Sequence, residues 1–130
     1  MRLVEFSVLG NHLHLIVEAD SNDALSRGMQ GLGIRLACAL NATLDRRGAV
    51  FTDHYHSRLL RSPTELVRAI RYVIQNAAHH YRDPEADHFS SRALDSAELL
   101  IVPKGWLLKV GWSRVGPRDR IEPATARLSS

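Results

Sequence analysis

The sequence predicts an α+β domain in which an antiparallel sheet is flanked by two main helices. Three observations predict it: period-two alternation over residues 2–18, a helical repeat of apolar positions over 23–47, and a capped helix starting at Ser62. With 130 residues, 45% hydrophobic and 24% charged, the chain has the size and composition of one globular domain.

The first arm of a hairpin sets Val4, Phe6 and Val8 against Glu5 and Ser7. It meets Gly10-Asn11, a pair that readily takes the positive backbone angles of a two-residue turn. The second arm is Gly10-Asn11-His12-Leu13-His14-Leu15-Ile16-Val17-Glu18. Successive side chains of an extended chain point to opposite faces, so His12 and His14 project together, with Leu13, Leu15 and Val17 on the other face. Two imidazoles side by side make half of a metal site.

From Asp23 to Arg47, Leu25, Met29, Leu32, Leu36, Leu40 and Leu44 recur at helical spacing, with Gly48 just past the end. Gly28, Gly31 and Gly33 each cost about 1 kcal/mol relative to Ala in a helix. They predict a kink or a close backbone approach in its first half. Ala49 to Leu60 reads as a strand with His54, His56 and Arg58 on one face and Phe51, Tyr55 and Leu59 on the other. Ser62-Pro63-Thr64-Glu65 is a capping box with Pro at the first helical position, and the helix it opens should run to about Tyr81. Beyond Asp83-Pro84, residues 94–101 read as a short helix or strand and Trp106 to Trp112 as a short apolar segment. The expected organisation is a domain of residues 1–112 followed by a flexible C-terminal tail, 113–130.

Composition narrows the function. No apolar run is long enough to span a bilayer and the N-terminus lacks the regions of a signal peptide, so a cytoplasmic protein is expected. Cys38, the single cysteine, cannot form an internal disulfide and is expected as a small core residue on the apolar side of the first helix. The net charge of +3 and pI near 9.5 lean mildly toward an anionic partner. Of the 17 basic residues 15 are Arg, whose planar fork suits phosphate oxygens, which makes nucleic acid a plausible one.

On the second helix, Leu66, Ile70, Val73, Ile74 and Ala77 form the core-facing stripe. Tyr72 and Asn76 lie away from its centre, one turn apart, with Arg68 and His79 on the same polar face. An aromatic residue off the core face can simply pack its ring at a boundary and leave its hydroxyl wet. Here it shares the chain with a paired-histidine strand.

NHLHLIVE, then VFTDHYHSRLL, then a capped helix bearing RYVIQN resembles the single-tyrosine HUH transposases, in particular the REP-associated tyrosine transposase branch. The resemblance covers residues 3–81. It implies a ferredoxin-like fold, His12, His14 and Asn76 as ligands of Mg²⁺ or Mn²⁺, and Tyr72 as the nucleophile that attacks a DNA phosphate. Imidazole nitrogens and an amide oxygen, with water and phosphate oxygens, suit such an ion, which polarises the scissile phosphate. Attack leaves a covalent 5′-phosphotyrosine and a free 3′-OH; the bond energy is retained, so the strand can be rejoined without an external energy source. The substrate implied is single-stranded DNA, often beside a hairpin, and family members commonly act as homodimers. Arg58, Arg61, Arg68 and Arg71 could track the DNA backbone and Tyr55 could stack a base.

The family fold opens with a strand and a helix before the hairpin, whereas this chain starts at the hairpin. The expectation is an N-terminally incomplete version of the fold, marginally stable or self-associating. Two other functions fit the same residues. His54 and His56 repeat the spacing of His12 and His14, and four imidazoles on one sheet could bind Zn²⁺ or Fe²⁺ for hydrolysis, with Asp53 or Glu18 contributing. A non-catalytic DNA-binding remnant of the transposase fold is the third.

Overall fold

In the computed structural model, residues 1–8, 12–81, 91 and 99–129 are described, with only the backbone of 76–81 and 127–129. Among the described residues the architecture is α+β, with a two-stranded antiparallel sheet and three α-helices. The chain divides into two units, one of residues 1 and 19–59 and one of residues 2–18 and 60–130.

The second unit holds the sheet. Strands β1 (Arg2–Val8) and β2 (Leu13–Glu18) pair antiparallel, with Ser7 opposite His14, Phe6 opposite Leu15 and Arg2 opposite Glu18. The register shifts between Leu3 and Glu5, so the extra residue Val4 forms a bulge. The predicted Gly10-Asn11 turn lies outside the described residues.

Helix α2 (Pro63–Tyr81) begins where the capping box predicts. Ser62 Oγ accepts from the Glu65 N–H at 3.2 Å, and the first helical bond runs from Leu66 N–H to Ser62 O at 3.0 Å. Glu65 reaches back one residue further than the box requires and accepts from the Arg61 N–H at 2.8 Å. Leu66, Ile70 and Val73 then join Val4, Ile16 and Leu108 in the main core. Each such side chain, removed from water, is worth about 1.5–3 kcal/mol. Val67 lies outside the predicted stripe yet is buried, because the chain after α3 (Trp106–Lys109) lies along that flank of α2.

The other sheet face is covered too. Phe6 packs with Leu100 and Ala124, flanked by Leu3 and Leu15. The carbonyls of Leu3 and Phe6 accept from the N–H groups of Ile101 and Ser91, at 3.1 and 2.9 Å. With both faces covered, Glu5 and Ser7 are buried along with Val4.

Within the described residues, 113–129 are not the mobile tail that the sequence predicts. A 3₁₀ turn at Gly111–Arg114 follows α3, another spans Ala124–Ser129, and Pro123, Ala124 and Thr125 are buried. The physical reason is a buried anchor: one Glu5 carboxyl oxygen accepts from the Ala124 N–H at 2.9 Å and the other from Ser91 Oγ at 2.6 Å. Of the segment 94–101, residues 94–98 lie outside the described residues; Leu100 is buried.

A second anchor joins Glu18, at the end of β2, to the entrance of α3. Its carboxylate meets Arg2 Nε at 2.6 Å and accepts from the N–H groups of Lys104, at 2.8 Å, and Gly105. Burial pushes this carboxyl up, but the Lys104 N–H, Arg2 and the Gly105 N–H together outweigh burial and hold it below its ordinary value of 4.5. A carboxyl depressed on folding adds stability above its unfolded pKa, and that stability is lost as pH falls through the folded value. The expected result in acid titration is therefore a fall in unfolding midpoint that starts near pH 4.5. Glu18→Gln should lower the midpoint at neutral pH and flatten that part of the profile, readable by tryptophan fluorescence of Trp106 and Trp112.

The first unit contains helix α1 (Asn22–Thr43), capped by Ser21 Oγ accepting from the Ala24 N–H at 3.1 Å. The helix runs unbroken through its glycines. Gly28 is the position of close approach, since a Cβ there would lie 2.5 Å from Met1 Cβ. The helix stops before the predicted Arg47. Asp45 takes a positive φ of 48°, and the Arg46 N–H returns to Asn41 O at 2.9 Å, closing a Schellman-type end four residues early. No residue of α1 is fully buried, and Cys38, expected in a core, is exposed.

The strand predicted over Ala49–Leu60 is absent. Phe51, Tyr55 and Leu59 are exposed and the segment has no regular structure. Alternation alone does not make a strand; a ladder partner does, and none of the described residues pairs with this segment.

Candidate active site on the sheet and second helix

The register of the hairpin builds the site. His14 shares a face of β2 with Ile16, and Ile16 packs against Leu66, Ile70 and Val73, so that face is turned to α2. His14 therefore meets the helix, and the residue it meets is Tyr72. The two rings stand edge-on, centroids 5.4 Å apart and planes at 89°. His12 completes the row: its ring lies parallel to that of His14 within 17°, centroids 6.2 Å apart.

Tyr72 is 59% exposed despite this contact. Its ring is held at one edge by His14 while its outer part stays open to solvent. An edge-to-face pair of this kind restricts the side chain and leaves the phenol accessible to a large substrate. The Tyr72 hydroxyl makes no hydrogen bond among the described residues.

Other predicted residues fall in different places. Asn76 lies one turn after Tyr72 on α2, and its side chain is outside the described residues. Arg68 is exposed on α2, one turn before Tyr72. Arg61 is exposed just ahead of the helix. Arg71 is not a free surface cation: it donates to Asp119 O at 3.2 Å, with Asp119 Oδ1 at 4.0 Å. Arg58 and Tyr55 are exposed and belong to the first unit, as do His54 and His56.

The four-histidine arrangement required His54 and His56 on a strand of the same sheet. They occupy an irregular segment instead, so the spacing of two no longer puts them on one face. Glu18, offered as a carboxylate for that alternative, is engaged with Arg2, Lys104 and Gly105. Among the described residues, no group of three or more His, Cys, Asp and Glu side chains gathers in one place. The described donors beside Tyr72 are thus the imidazoles of His12 and His14. Imidazole nitrogens joined by water or phosphate oxygens fit a divalent ion.

Sequence reasoning missed Arg114 and Asp119, which line a groove beside α2 with Arg68 and Arg71. The available signal was the cluster Arg114, Arg118 and Arg120 around Gly116-Pro117, in a stretch read as a tail.

No helix among the described residues is long and apolar enough to cross a membrane. Comparison with protein-family models, curated proteins and solved structures finds no match for the chain.

Proposed function

We propose that the chain is a domain of the single-tyrosine HUH transposase type, cleaving and rejoining single-stranded or hairpin DNA through Tyr72. The observation that carries this reading is the row of His12, His14 and Tyr72: an accessible phenol set against the His14 imidazole of β2, which stacks on that of His12 just before the strand. In this reading the hairpin and α2 are part of the ferredoxin-like fold of that family.

His12 and His14, with Asn76, would hold Mg²⁺ or Mn²⁺, which when bound polarises the scissile phosphate and offsets charge as the bond breaks. The work of the chain itself is positional. The contact with His14 fixes the Tyr72 ring, and the openness of the site lets a strand reach the hydroxyl. The Tyr72 oxygen forms a bond to phosphorus as its proton passes to solvent. The bond from phosphorus to O3′ breaks, and the leaving oxygen takes up a proton as a free 3′-OH. The fragment downstream of the break stays on Tyr72 through its 5′-phosphate, as a phosphodiester. Attack by another 3′-OH reverses the step and releases the tyrosine.

The test is incubation of the purified chain with end-labelled single-stranded hairpin oligonucleotides and Mn²⁺, followed by a denaturing gel. The expected result is a covalent protein–DNA band that chelator abolishes. In His14→Ala the rate of band formation should fall about 10²–10³-fold, the size of losing one preorganised electrostatic group. His54→Ala should leave it unchanged. A folded chain that binds DNA without any covalent band would make it a binding protein only.

A further inference from the structure

Beside α2, Thr64, Arg68 and Arg71 face Arg114, Gly116 and Asp119 across an open groove of about 430 Å³. Three guanidinium groups converge there, in a chain whose net charge is only +3. Arg68 and Arg114 are exposed and make no ion pair or hydrogen bond among the described residues. Arg71 is turned to Asp119, whose carboxylate is the groove's acid and is 69% exposed. Val67 and Val115 supply an apolar floor.

We propose that this groove carries the backbone of single-stranded DNA past Tyr72, with phosphates on Arg68, Arg71 and Arg114, and that Asp119 competes with the strand for Arg71. The assignment rests on the DNA reading above and extends it to a path and a gate. Arg68 precedes Tyr72 by four residues on α2, a rise of about 6 Å. That distance is comparable to the step between phosphates on an extended strand, so a strand that leaves the groove at Arg68 has about one phosphate step to cover along α2 before the level of Tyr72. An open trough with cations on both walls suits a chain that enters and leaves, whereas a small anion would be better enclosed. A strand that engages Arg71 displaces the Asp119 carboxylate, whose hold is weak because both partners are partly exposed.

The experiment measures binding of a fluorescein-labelled single-stranded oligothymidylate by anisotropy, in the full chain, over a series of salt concentrations. Inorganic phosphate and the matching duplex are run as competitors. Arg68→Ala/Arg114→Ala should weaken binding and reduce the slope of log affinity against log salt by about 0.7 for each phosphate that is no longer neutralised. Asp119→Asn should tighten binding about twofold to fivefold, the size of one exposed charge pair. Unchanged affinity and slope in the double variant, or no tightening in Asp119→Asn, would overturn the groove assignment. Displacement by inorganic phosphate as readily as by unlabelled strand would overturn it as well, assigning a simple anion site.

The covalent assay on the same proteins separates the two claims. If wild type forms the Tyr72 band while the groove variants bind normally, the groove fails and strand cleavage stands. Weakened binding in the groove variants without a band in wild type has the opposite meaning.

Discussion

Tyr72→Phe is expected to abolish covalent attachment to DNA while binding single-stranded DNA as well as the wild type does. The substitution removes one oxygen and keeps the ring that packs edge-on to His14 at 5.4 Å. With Tyr72 59% exposed and its hydroxyl unbonded among the described residues, no fold-stabilising hydrogen bond goes with that oxygen. Thermal stability should therefore move by less than about 0.5 kcal/mol, the usual range for a surface change. The loss in strand attachment should be absolute, because in the proposed reaction the bond to phosphorus is made by the deleted atom. Binding by anisotropy and the gel assay on the same preparation check both halves. A Tyr72→Phe protein that still forms the adduct would put the nucleophile elsewhere.

The second large effect concerns stability. Glu5→Ala is expected to destabilise the second unit by about 2–4 kcal/mol. Glu5 is fully buried, and its carboxyl group accepts from the Ala124 N–H and from Ser91 Oγ. Ser91 Oγ in turn accepts from the Phe6 N–H at 3.1 Å. Removing the carboxyl leaves the buried Ala124 N–H without its acceptor, leaves the Ser91 hydroxyl only the Phe6 carbonyl at 3.2 Å, and opens a void beside β1. It also releases residues 123–125, the segment that covers Phe6. A domain is stable by only about 5–15 kcal/mol, so the urea midpoint should drop visibly. Glu5→Gln keeps the volume but turns an amide N–H₂ toward one of the donors, and its midpoint should fall between the two. A change below about 0.5 kcal/mol for Glu5→Ala would show that the C-terminal segment is held by its apolar contacts alone.

What could be read from the sequence was what local chemistry specifies. Ser62-Pro63-Thr64-Glu65 announced α2 because each of its groups acts within one turn. The period of β2 placed His14 with Ile16 rather than with Leu15, and the structure turns that face to α2. With Leu66, Ile70 and Val73 assigned to the core, the helical period left Tyr72 on the polar face, exposed as expected, while its edge contact with His14 was not legible.

The failures share a cause in interactions remote along the chain. The link from Glu5 to Ala124 spans 119 residues, and nothing in the short apolar pieces after Trp112 has a period that reveals it. Arg71 has the spacing of a solvent-facing residue, yet its partner is Asp119, 48 positions on. Ala49–Leu60 alternates as a strand should, but a sequence does not say whether another strand will be available to pair. For α1, an apolar repeat was legible while its burial was not, because burial depends on what other elements bring to it.

The most direct measurement of the central claim is mass spectrometry of the covalent product. The DNA-linked protein is digested with trypsin and nuclease, and the modified peptide is sequenced by fragmentation. Cleavage after Arg71 and Arg82 yields a peptide holding both Tyr72 and Tyr81, so fragment ions distinguish them. The expected product is a nucleotide joined through its 5′-phosphate to Tyr72. A nucleotide on Tyr55 or Tyr81, or linked through its 3′-phosphate, would contradict strand cleavage by Tyr72.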